Sequence, residues 1–121
     1  DYLREFLGTM RHADCTAALS DLADCGGVRI VLSHFPELFA GIGRLSYRNF
    51  HFDLMLAGHA HGGQFRAGRF GVYAPGQGLF PRYTAGMHGW NPALVVSRGL
   101  GNDSPVPRVN NRPELVLVTL Q

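Results

Sequence analysis

Residues 52–63 read FDLMLAGHAHGG, a nearly continuous apolar run that stops at Gly58 and is followed at once by His59 and His61. An apolar run of this length closed by glycine predicts a strand buried on both faces, as in α/β sheets covered by helices. Upstream, Val28 to Ser33 (VRIVLS) is a second β-branched run, and it too ends in a histidine, His34. In open α/β sheets, ligands gather beyond the carboxyl ends of strands, where loops converge. The two runs would thus deliver His34, His59 and His61 to one edge of a sheet.

In an extended segment, residues two apart point the same way, so His59 and His61 are expected to face one side across the small Ala60. Gly58, Gly62 and Gly63 permit a left-handed backbone or a close approach to a ligand. Neutral imidazole nitrogens suit Zn, Mn and Fe, and His34, His59 and His61 are read on that ground as candidate metal ligands. A chance pair on a surface loop is the plain alternative for His-x-His, and His34 at a second strand end weighs against it. His12, His51 and His88 lie on a helix approach, before a strand and in a glycine-rich turn. They are read as solvent-exposed or capping.

Working outward, Asp14 to Asp24 places Cys15, Ala18, Leu19 and Leu22 at i, i+3, i+4 and i+7, with Asp14 as N-cap and Gly26-Gly27 beyond the end. That pattern predicts an amphipathic helix turning directly into the Val28 strand, one half of an α/β unit. Residues 2–8 stay open between a helix end and a strand. Pro36 is expected to open a short helix after the strand. From Gly62 to Trp90 the glycines and prolines suit irregular loops and short hairpins. Ala93 to Ser97 and Leu115 to Leu120 predict two more strands.

The composition is that of one globular domain: 121 residues, 45% apolar and 17% charged, enough to build a core without staples. A formal charge of +2, scattered along the chain, implies no nucleic-acid or membrane partner. All eleven basic residues are Arg, which base composition explains as well as phosphate binding does. No stretch approaches the roughly eighteen apolar residues of a membrane span. Cys15 and Cys25, ten apart on the expected helix, would lie about 15 Å apart along its axis, beyond disulfide reach. Buried thiols and a reducing compartment are expected, with a location in the cytoplasm or peripheral to the membrane. The chain begins without Met, as expected of a processed product or a partial reading of a longer gene.

With these blocks in view, the sequence resembles the calcineurin-like metallophosphoesterases, in particular the bacterial branch that reads LLSH-x-P, then D-L-x-L-x-GHTHGGQ, then VSRGLG, then PPE and an apolar strand. Here VLSHFPELF stands at 31–39, DLMLAGHAHGGQ at 53–64, VSRGLG at 96–101 and RPELVLVTL at 112–120. Order and spacing agree over about 90 of the 121 residues. GHxH alone is moderately specific; the blocks in order are strongly so.

The resemblance implies an α/β fold in which residues 1–121 supply the C-terminal half of a two-sheet α/β/β/α sandwich. It further implies that His34 and His59 bind one ion of a dinuclear Mn, Zn or Fe centre and His61 the other. Such ions, roughly 3.5 to 4 Å apart, activate a water that attacks a phosphodiester or pyrophosphate bond in line. The family's remaining ligands sit in an Asp-x-His, a Gly-Asp-x-x-Asp and a Gly-Asn-His-Asp/Glu. None of these stands here, and Gly101-Asn102-Asp103 lacks the His. Without the bridging carboxylate, at most one ion is expected on this chain alone, no residue of it is assigned to catalysis, and it is expected to be inactive by itself. The inner sheet face would be open, calling for a missing N-terminal half or an oligomer partner.

Arg98 in the VSRGLG block is the candidate substrate-binding residue, with Arg82 a weaker one; pairing with a carboxylate or solvent is the ordinary alternative for each. The competing class is a non-catalytic metal-binding or interaction module built on the three histidines and the open face. An amidohydrolase-type reading of His-x-His fails for want of any Lys.

Overall fold

A computed structural model describes residues 15–41, 46–102 and 105–121. A helix over Thr16–Leu22 leads through the glycines into strand β1 (Ile30–Ser33). A 3-10 helix over Pro36–Ala40 follows, opened by Pro36 as expected, and a second covers Tyr47–Asn49. Strand β2 (Leu54–Ala57) runs into a 3-10 turn at His61–Gly63. Two small hairpins come next, β3 (Arg66–Ala67) with β4 (Phe70–Gly71), and β5 (Tyr73–Ala74) with β6 (Gly78–Leu79). Strands β7 (Gly86–His88) and β8 (Ala93–Val96) complete the described elements.

The main sheet has the order β1-β2-β8-β7. β1, β2 and β8 are parallel, and β7 returns antiparallel to β8, so the fold is α/β with a mixed sheet. The register is pinned at the strand starts by one ion pair. Arg29 donates from its backbone N–H to Asp53 Oδ2 at 2.8 Å and from Nη2 to Oδ1 at 3.2 Å. Ile30 consequently faces Leu54, and Ser33 faces Ala57, so the two strands end level.

Alternation within the strands separates the two faces of the sheet. Val31, Met55, Leu94 and Val96 point into one core with Leu38, Phe39, Phe52 and Tyr83. Phe39 meets Phe52 and Tyr83 edge-on, with centroids 6.5 and 6.0 Å apart. On the other face Leu32 is 78% and Met87 52% exposed. Along β2 burial also falls from the start to the end of the strand, with Leu54 and Met55 buried and Leu56 and Ala57 half-buried.

Several expectations need correction. Both cysteines are free and exposed. The helix is seven residues long and buries only Leu19, so Cys15 falls at its N-cap and Cys25 beyond its end. Among the described residues Leu115 to Leu120 pairs with no strand, and Leu117 is 91% exposed. An isolated segment has no neighbour to take its backbone hydrogen bonds, and apolar patterning alone does not make a ladder. The expected Asp14 cap, His12 and residues 2–8 lie outside the described residues.

Candidate metal centre and phosphate cleft

Because β1, β2 and β8 are parallel, their carboxyl ends open on one edge, and the residues after each strand meet there. His34 follows β1, His59 and His61 follow β2, and Ser97 and Arg98 follow β8. His34 and His59 are brought together: their ring centroids lie 4.4 Å apart with planes tilted by 55°. Phe35 closes the group, its ring edge-on to His59 at 4.7 Å. His34 is exposed and His59 half-buried, so the pair sits at the surface of the edge.

His61 goes elsewhere. The segment is not extended: His59 has φ 61°, His61 φ 45° and Gln64 φ 53°, all in the left-handed region that side chains rarely adopt. Strand alternation therefore does not set the direction of the two rings, although both residues line one cleft. His61 Nδ1 lies 3.4 Å from Arg108 Nη2. Strained backbone of this kind persists only where its surroundings hold it. Here Asn111, 4% exposed, donates from Nδ2 to the carbonyls of His61 at 2.6 Å and Gln64 at 3.2 Å. Gln64 in turn donates to Asn102 Oδ1 at 2.9 Å and to the Val106 carbonyl.

The loop after β8 is held as firmly. Arg98 pairs with Glu114 at 2.9 Å, and this guanidinium, bonded to the carboxylate, holds Glu114 below its ordinary value. Arg108 donates to the carbonyls of Arg98 at 2.7 Å, Gly99 at 3.3 Å and Gly101. Arg66 donates to the Gly62 carbonyl at 2.6 Å. His59, His61, Arg98 and Arg108 line one cleft of about 310 Å³.

As a metal site the donor set is partial. Two clustered imidazoles are chemically apt ligands for a divalent transition ion. Among the described residues, however, no group of three His, Cys, Asp or Glu side chains is placed to hold one.

The remaining histidines and arginines divide. His51 is exposed, as expected. His88 is not in a turn but on β7, half-buried against Tyr83, and burial pushes its imidazole below the ordinary value. Arg82 is exposed and stacks over Tyr83. Arg108, Asn111 and Gln64 were not singled out from the sequence. Gln64 ends the quoted GHAHGGQ block, whereas Asn111 and Arg108 lie in a stretch with no chemical pattern.

Comparison with known proteins bears on this edge. Over 94 residues the chain is 35% identical to the phosphodiesterase YaeI of Escherichia coli (strain K12), a match covering 76% of this chain and 32% of that protein. It is 30% identical over 91 residues to the uncharacterized metallophosphoesterase YkoQ of Bacillus subtilis (strain 168), covering 74% and 32% respectively. Over about three quarters of its length the chain is thus similar to proteins named as a phosphodiesterase and a metallophosphoesterase. The uncharacterized protein YpbG of B. subtilis (strain 168) matches at 32% identity over 93 residues, 77% of this chain and 31% of that protein. The chain thus spans about a third of the length of these relatives. Neither a family model nor a solved structure matches. Among the described residues, no helix is long and apolar enough to cross a membrane.

Proposed function

We infer that residues 1–121 form the C-terminal half of a calcineurin-like phosphoesterase domain that hydrolyses phosphodiester or pyrophosphate bonds. The observation that carries this reading is the meeting of His34 and His59, 4.4 Å apart, at the level ends of two parallel strands. His34 and His59 would hold one divalent ion, Mn, Zn or Fe, and His61 would serve a second in the complete domain. Bound there, a pair of such ions supplies an activated water for in-line attack on phosphorus. Arg98, at the adjacent strand end, would orient the phosphate oxygens by a charge-assisted fork. Asn111 would keep His61 in its left-handed turn. The acidic ligands would come from an N-terminal half, completing the two-sheet sandwich against the open sheet face.

The test begins with the reading frame upstream of Asp1, which is expected to encode Asp-x-His, Gly-Asp-x-x-Asp and Gly-Asn-His motifs. In the complete protein, His59→Ala should abolish hydrolysis of bis(4-nitrophenyl) phosphate. A frame without those motifs, or undiminished hydrolysis by the variant, overturns the reading. One observation favours the alternative of a non-catalytic interaction module: the exposed Leu32 and Met87 on one sheet face. That module would form a stable oligomer of this chain alone by sedimentation.

A further inference from the structure

We propose that the cleft between the His59–His61 turn and the loop after β8 is an oxyanion site in which Arg98 and Arg108 bind a phosphoryl group without the help of a metal ion. The proposal deepens the hydrolase reading and rests on it only for the choice of phosphate as the anion. Arg98 and Arg108 line the cleft of about 310 Å³ together with His59 and His61. The Nε of each guanidinium is buried, and neither donates to an acceptor among the described residues. Burying an unsatisfied donor on a charged group is costly, and a phosphoryl oxygen is the acceptor that relieves it best.

The charge balance points the same way. Arg98 and Arg108 line the same cleft, and Arg108 donates to the Arg98 carbonyl at 2.7 Å, so two cationic side chains are held close together. Among the described residues, the carboxylate paired with this group is Glu114, on Arg98. Like charges gathered around one counter-charge favour entry of an anion. Arg108 also belongs to a neighbouring cavity of about 540 Å³, which shares Gly101 and Asn102 and adds Leu100, Pro107 and Pro113. The anion would thus be the phosphoryl end of an ester, with its organic group against the apolar residues of the larger cavity.

The test is titration of the 121-residue chain with inorganic phosphate and with phenyl phosphate, in EDTA, by calorimetry and amide chemical shifts. Saturable binding is expected, tighter for phenyl phosphate, weakened about tenfold or more by Arg108→Gln. Glu114→Gln, which releases Arg98 from its ion pair, should tighten binding severalfold. That gain keeps the test decisive if Arg108→Gln fails to fold, because loss of structure cannot raise affinity. Phosphate bound more tightly than phenyl phosphate still supports the oxyanion site but marks it as a site for the released product. An absence of saturable binding, or affinity unmoved by both variants, overturns the proposal. Since no turnover is measured, failure here leaves the hydrolase reading standing, and that reading is overturned separately if the complete protein hydrolyses no ester.

Discussion

His34 and His59 stand with ring centroids 4.4 Å apart because each is placed just past the end of a strand and those strands are parallel neighbours in register. His61, two residues further on, is turned by its left-handed backbone toward Arg108. The two arrangements predict different consequences for metal binding. His34→Ala and His59→Ala should each weaken Zn²⁺ or Mn²⁺ binding by more than the roughly 10- to 100-fold typical of losing an outer-shell partner. His61→Ala should weaken the same ion less. Competition with a fluorescent chelator measures all three, and equal losses would mean that the pair is not the primary donor set.

The Arg98–Glu114 pair makes part of the stability depend on pH. Bonding to Arg98 holds the folded-state carboxyl below its ordinary value of 4.5. A depressed carboxyl contributes stability that is fully present above the unfolded value and lost as pH falls through the folded one. Glu114→Gln should therefore cost about 1 kcal/mol near pH 7 in urea unfolding, the scale of a partly exposed pair. That cost should shrink toward zero as the solution is acidified below about pH 4. A cost that stays constant over this range would assign it to packing and not to charge.

Much of this edge was legible from the residues. The runs at β1, β2 and β8 are apolar and punctuated by glycine or a histidine, and such runs have few competing structures. What escaped depends on partners distant in sequence. Arg108 and Asn111 matter only because the loop after β8 returns to the His61 turn, and nothing in their neighbourhood announces it. Leu115 to Leu120 has the composition of a strand, yet a strand exists only beside another. The Cys15 and Cys25 thiols are exposed, contrary to their helical spacing, because spacing marks which face would be buried and not how much of it is covered.

The two sheet faces should respond oppositely to substitution. Met55 is fully buried, and Met55→Ala leaves a cavity costing about 2 to 5 kcal/mol. Leu32, 78% exposed on the opposite face, should tolerate Leu32→Lys within about 0.5 kcal/mol. Paired urea melts of the two variants test the contrast. A loss at Leu32 comparable to that at Met55 would show that its face is covered in solution, and sedimentation would then identify a second copy.

Within the turn after β2, Gly63 is the residue whose replacement should do most harm. Its φ of +80° is left-handed, and an added Cβ would fall 2.4 Å from Gly71 Cα, a backbone atom that cannot swing away. Gly63→Ala therefore combines an unfavourable conformation with a clash between the turn and β4, and should cost about 3 kcal/mol or more. Gly58, in the same loop, has open space where its Cβ would stand and no left-handed φ. Gly58→Ala should be close to neutral. Should both variants unfold at the same urea concentration as the parent, β4 would not be packed on this turn.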